Sequence, residues 1–123
     1  MLRPPPPSSH QRGAQAEARA AAYLRAQGFT ILTQNYRWRH GEIDLICREG
    51  DTLCFVEVRS RKSDRHGSAA ATINAKKQDR IARAAEHFLT VVWKELRVAC
   101  RFDVISIDGE LLTLHRDAFR LGG

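Results

Sequence analysis

The chain has 123 residues, 43% of them hydrophobic and 28% charged, which is the length and composition of one globular domain. Twenty Lys and Arg against 14 Asp and Glu leave a net charge of +6, a balance that favours a polyanionic partner such as nucleic acid. No run approaches the ~18 apolar residues of a membrane span, no apolar leader follows the first residues, and the three cysteines at 47, 54 and 100 form neither a disulfide framework nor a metal knuckle. The expectation is a cytoplasmic protein without membrane contact, its thiols packed as small core hydrophobes.

Residues 1–10, with prolines at 4–7, read as a disordered arm; 11–118 as the single domain; and 119–123 as a tail. An alanine-rich helix is predicted over 11–26, stopped by Gly28, and a strand over 29–35. A basic-aromatic link, 36–41, leads to alternating strands over 42–48 and 52–59, joined by a short turn around Gly50 and Asp51. Residues 60–71 form a polar loop. Asn74 or Thr72 then caps a helix running to about residue 91, with an apolar stripe of Ile81, Ala85, Phe88 and Val92. Lys76, Arg80 and Arg83 form a basic stripe on another side of it. Strands over 100–107 and 111–115 close the order α-β-β-β-α-β-β, a mixed α/β domain.

The acids of the hairpin carry the most information. With a two-residue turn, Asp44 falls opposite Glu57; with the turn shifted by one, Glu42 does. Either register sets two carboxylates side by side, which destabilises a sheet by up to ~1 kcal/mol, and by more when they are buried. Burial is expected, because the 52–59 strand is apolar on both faces and so belongs in the middle of a covered sheet. Arg59 shares a face with Glu57, and Glu17 lies on the small and apolar stripe of the first helix with Gly13, Ala20 and Leu24. Two readings stand here. The acids converge as hard oxygen ligands for a divalent ion, or they form a buried ionic network, Glu57 with Arg59 or Glu17 with an arginine, that fixes register.

The segments Gly41-Glu42-Ile43-Asp44-Leu45-Ile46 and Phe55-Val56-Glu57-Val58-Arg59, preceded by Arg12, Gly13 and Glu17 and followed by Lys77-Gln78, resemble the YraN-like family of small bacterial proteins. That family is similar to archaeal Holliday-junction resolvases, and the resemblance runs from about residue 12 to 108. It implies a restriction-endonuclease-like domain: a mixed central sheet flanked by helices, carrying a metal-dependent nuclease site of the PD-(D/E)XK type. By the same resemblance Asp44, Glu57 and the backbone carbonyl of Val58 are the ligands of Mg²⁺ or Mn²⁺. Glu17, Arg59 and Gln78 join Asp44 and Glu57 as catalytic residues. The Pro-Asp pair of the motif is replaced by Ile43-Asp44, and Arg59 stands where lysine is usual. An arginine stays charged and presents a planar fork suited to the scissile phosphate or to Glu57, and Lys62 is a nearby substitute for the missing ammonium.

The expected function is therefore hydrolysis of DNA, branched DNA included, by a metal-activated water, with a homodimer suited to a symmetric junction. Arg37, Arg39, Arg61, Lys62, Arg65, Lys76, Lys77, Arg80 and Arg83 would contact the nucleic acid. The alternative is a non-catalytic nucleic-acid-binding module using the same basic surface. Tyr36 and Trp38 either pack at the edge of the core or stack on unpaired bases. Among the scattered histidines only His40 lies near the acids, and Asp103, inside a late strand, is expected to pair with a basic residue.

Overall fold

The computed structural model describes residues 5, 9–61, 73–95 and 97–120. The element order is α1 (Ser9–Ala26), β1 (Thr30–Trp38), β2 (Gly41–Glu49), β3 (Thr52–Arg61), α2 (Ala75–His87), a π-helical segment (Phe88–Trp93), β4 (Ala99–Asp108) and β5 (Leu111–Phe119). The α/β class and the order of elements are those expected from the sequence. The five strands lie in one sheet in the order β1-β2-β3-β4-β5, antiparallel except for the parallel β3–β4 pair. That parallel pair is the signature of the α2 crossover between them.

The sheet is covered on both faces. Ala16, Ala20, Ala21 and Leu24 of α1 pack on Leu45, Cys47, Cys54, Val56 and Ile105. Ile81, Ala84 and Ala85 of α2, with Phe88, pack on the other face against Ile43, Ile46, Leu53, Phe55 and Val104. Strand β3 is central, and its residues 53 to 56 are fully buried. Arg19 ties α1 to the far end of the sheet, its guanidinium donating to the carbonyls of Gly109 (2.7 Å) and Glu110 (3.2 Å) in the β4–β5 turn.

Several boundaries differ from expectation. Helix α1 begins at Ser9, inside the expected arm, the rest of which lies largely outside the described residues, and β5 extends to Phe119, into the expected tail. Strand β1 runs on to Trp38, so most of the expected basic-aromatic link is strand. Asn35 has the look of a turn residue and a positive φ of 53°, yet it bends the strand without ending it. Helix α2 passes into a π-helical segment at Phe88, and this corrects the apolar stripe. A π turn holds one residue more than an α turn, so Trp93 rather than Val92 packs on the core, and Val92 is 54% exposed. Cys47 and Cys54 are buried as expected, but Cys100 is exposed. It sits at the start of β4, ahead of Phe102, where the pairing with β5 ends.

Gly41 fixes how closely α2 approaches β2. A Cβ at this position would lie 2.1 Å from the backbone oxygen of Arg80 and 3.1 Å from the Cβ of Ala84. No side chain fits there, and the N-terminus of β2 is thereby pressed against α2.

Candidate metal and phosphate site

The β2–β3 register runs from Glu49↔Thr52 to Leu45↔Val56, as a two-residue Gly50-Asp51 turn requires. One step further along the same register sets Asp44 across from Glu57, and the alternative Glu42–Glu57 pairing is excluded. The ladder itself stops at Leu45↔Val56, because β2 turns away. Ile43 packs under α2 while Leu45, two residues on, packs under α1, so the strand changes face at Asp44. The kinked Asn35 of β1 lies beside this point, between the pairs Gln34↔Leu45 and Tyr36↔Ile43.

In a continued ladder the N–H of Val58 would go to Ile43. Instead it donates to Oδ2 of Asp44 at 2.8 Å. In an extended strand the N–H and C=O of one residue point the same way, so the Val58 carbonyl also faces the gap. Glu57 is 4% exposed and lies within hydrogen-bonding reach of Asp44. Burial, followed by the charge of Glu57, pushes the Asp44 carboxyl up to about 7; the Val58 N–H and, more weakly, Lys77 oppose the rise. Glu17 reaches Asp44 from α1, and its carboxyl is raised by burial and by the charge of Asp44, against the pull of the Asn35 side chain and Arg37. The three acids thus form a chain from α1 to β3, with Asp44 in the middle.

Lys77 of α2 supplies a cation, its Nζ 3.0 Å from Glu57 Oε1. Lys77, expected among the nucleic-acid contacts, is half-buried and ion-paired within the acid site. Asn74 Oδ1 accepts from the Lys77 N–H at 2.9 Å, which caps α2 and sets the helix start beside the acids. Gln78 donates from Nε2 to the carbonyl of Ile73 at 2.9 Å, so it anchors the chain entering α2. Arg59 is half-buried, two residues beyond Glu57, and is paired in register with Ser106 of β4. Of the expected nucleic-acid contacts, Arg39, Lys76, Arg80 and Arg83 are exposed, Arg83 in an ion pair with Asp79. Arg37 is exposed and lies 3.7 Å from Glu42. The side chain of Arg61, and Lys62 and Arg65 entirely, lie outside the described residues.

Another aspartate gives the contrast. Asp103 is fully buried, accepts from the Asp117 N–H at 2.9 Å across a register shift, and is gripped by the Arg101 guanidinium at 2.8 and 2.9 Å. Arg101 also donates to Glu49 at 2.7 Å, and Arg116 closes the network at 2.9 Å. These two guanidiniums, Arg116 first, hold the Glu49 carboxyl down to about 2. Asp103 and Asp44 perform the same backbone repair at a broken ladder. Asp103 is joined by an arginine at 2.8 Å, whereas at the Asp44 pair a lysine ammonium meets Glu57 at 3.0 Å.

Among the described residues no group of three or more His, Cys, Asp and Glu could by itself hold a metal ion. Asp44 and Glu57, with the Val58 carbonyl, instead make a two-carboxylate platform. That donor set fits Mg²⁺, which commonly keeps several waters and takes one or two carboxylates together with substrate phosphates.

Sequence reasoning missed Asn35, the ion pair of Lys77 and the Glu49–Arg101–Arg116 network. Only the network had a signal: Glu49 and Arg101 both stand at strand ends, and the parallel register that joins them depends on the crossover.

Comparison with known proteins places residues 16–107 in a match to the model of an uncharacterised protein family, UPF0102. A UPF0102 protein of Nitrosomonas europaea is 53% identical over 102 residues, covering 83% of this chain and 85% of the relative. One from Chlorobium chlorochromatii is 49% identical over 104 residues, covering 85% and 79%. One from Ralstonia nicotianae is 48% identical over 120 residues, covering 94% and 92%. Among the described residues no helix is long and apolar enough to cross a membrane.

Proposed function

Since the chain belongs to the uncharacterised protein family UPF0102, whose description carries no activity, we propose from the site itself that it is a divalent-metal-dependent nuclease of resolvase type acting on DNA. The observation that carries this reading is the apposition of half-buried Asp44 and buried Glu57 at the point where β2 leaves β3. Two carboxylates set against each other inside a sheet cost stability unless something positive joins them. In the same fold Asp103, the other aspartate that accepts a backbone N–H where a ladder breaks, is joined by Arg101 at 2.8 Å.

Asp44, Glu57 and the Val58 carbonyl would hold Mg²⁺ or Mn²⁺. When bound, the ion would lower the pKa of a water and neutralise charge on the phosphate. Asp44 is kept in place by the Val58 N–H, and Glu57 by Lys77. Lys77 sets a compact ammonium beside the acid pair, the chemistry that the motif lysine would bring to position 59. Arg59, two residues from Glu57 on β3, would meet phosphate oxygens with its planar fork. Glu17, in hydrogen-bonding reach of Asp44 from α1, would hold that carboxyl in position. The exposed Lys76, Arg80 and Arg83 of α2 would track the sugar-phosphate backbone without reading sequence.

One observation favours a second reading, a nucleic-acid-binding module without catalysis: Lys77 already pairs with Glu57, as a structural network would have it. Cleavage of labelled branched, duplex and single-stranded DNA and of structured RNA in Mg²⁺ or Mn²⁺, with Asp44→Ala in parallel, separates the two. Cutting that vanishes in the variant is the expected result. Absence of cutting, or cutting that survives Asp44→Ala, gives the site to the binding module.

A further inference from the structure

Away from the acids, the end of β1 and the C-terminal half of α2 build a small aromatic pocket. Trp38 stacks on His87, with ring centroids 4.7 Å apart and planes 18° from parallel, and His40 meets the Trp38 ring edge-on at 5.7 Å. The Tyr36 hydroxyl hydrogen-bonds Nδ1 of His87 and so fixes the imidazole in its plane. Beside this stack is a cavity of about 280 Å³ lined by Trp38, Arg83, Glu86, His87, Thr90 and Val91.

The lining has two characters. Trp38 and Val91, the latter 51% exposed, offer apolar surface, whereas Glu86, Thr90 and Arg83 offer an acceptor, a hydroxyl and a guanidinium. A planar heterocycle with apolar faces and a polar rim matches that division. The volume lies just under the ~300 Å³ at which pockets for drug-sized ligands begin, which suits one ring system rather than a larger group. Lys77 marks the acid pair on the same helix, and residues 83 to 87 follow it by six to ten positions, a rise of about 9–15 Å. That distance is a few nucleotides along a strand.

We propose that this pocket receives a single unpaired nucleobase, displaced from the strand whose phosphates lie at Asp44 and Glu57. The proposal rests on nucleic acid being the ligand of the acid site, and it narrows the substrate to one that exposes a base: a branch point, bulge or single-stranded flank. A paired base shows only its edges in the grooves, and only an unstacked one can extend the Trp38–His87 stack. Glu86 would accept from an exocyclic amine and Arg83 would meet the adjoining phosphate.

The test compares binding of the wild-type protein in EDTA to a DNA duplex carrying one bulged 2-aminopurine and to the fully paired duplex. The bulged duplex is expected to bind roughly tenfold tighter, with quenching of 2-aminopurine as it stacks. Trp38→Leu and, independently, the uncharged Val91→Gln at the exposed rim should reduce that preference to near one while leaving affinity for the paired duplex unchanged. Val91→Gln guards against a folding defect in the Trp38 variant, with circular dichroism as the check. Equal affinity for the two duplexes, or a preference that survives both substitutions, overturns the pocket. Preference without any cutting in Mg²⁺ retains the pocket and refutes the nuclease; cutting without preference does the reverse.

Discussion

Replacing Asp44 by asparagine removes one of two apposed charges and leaves an oxygen to accept the Val58 N–H, while the new amide can donate to Glu57. The folded protein holds this carboxyl at about 7 against an ordinary 3.8. A carboxyl raised in this way opposes folding wherever the unfolded chain has already released its proton. The penalty is absent below about pH 3.8, grows as the pH rises towards 7, and is constant above that. At about 1.4 kcal/mol per pKa unit its ceiling is ~4 kcal/mol, and coupling to Glu57 and Lys77 brings the expected gain for Asp44→Asn to about 2–4 kcal/mol at pH 8. Urea denaturation in EDTA would read this directly, and a thermal scan would show a rise of about 8–15 °C. Near pH 5 the gain should fall to less than half of its value at pH 8. Magnesium at ten times its Kd should stabilise the wild type by about 1.4 kcal/mol and the variant by much less. A variant that is neutral or less stable at pH 8, or a gain indifferent to pH, would refute the reasoning and make Asp44 a compensated structural group like Asp103.

Gly41→Ala should cost about 2–3 kcal/mol in urea denaturation and lower activity as well, since its Cβ would force β2 away from the Arg80 carbonyl 2.1 Å off. Lys77→Met should destabilise the protein by roughly 2–3 kcal/mol at neutral pH, with added Mg²⁺ restoring part of the loss, while exposed Lys76→Met changes stability by less than ~0.5 kcal/mol. Glu49→Gln should cost about 1 kcal/mol at neutral pH, discounted because Glu49 is 30% exposed. Its carboxyl is depressed to about 2 from 4.5, so wild-type stability from this group is full above 4.5 and is lost as pH falls through about 2; the gap between wild type and variant in denaturant midpoint should close over that range.

The apposition of Asp44 and Glu57 was legible because a Gly50-Asp51 turn of fixed length counts the register outward, residue by residue, to the acids. The central place of β3 was legible from its two apolar faces, and the pairing of Asp103 from the cost of burying a lone charge in a strand. Asn35 was not, since a positive-φ asparagine has the same local chemistry whether it ends a strand or bends one. The π-helical segment escaped because an apolar stripe counted at the α period cannot register an inserted residue, and Val92 and Trp93 exchange places as a result. The Lys77–Glu57 contact joins elements on either side of the 60–71 segment, and no local spacing encodes it. Gly41 could be seen in the motif, but the helix carbonyl that forbids a side chain there belongs to tertiary packing.

The departure of β2 from β3 also bears on kinetics. Strand β3 stays paired with β4 along its whole length, from Thr52↔Ala99 to Arg61↔Asp108, while its ladder with β2 ends at Val56. The gap between β2 and β3 is therefore built into the sheet, with Gly41 against α2 and the Asp44 carboxyl on the Val58 N–H. Among the described residues no β2–β3 ladder has to break to admit an ion or phosphate, so association should proceed at the rate of encounter rather than await a conformational step. With a net charge of +6, that encounter rate for a polyanion should fall steeply as salt is added.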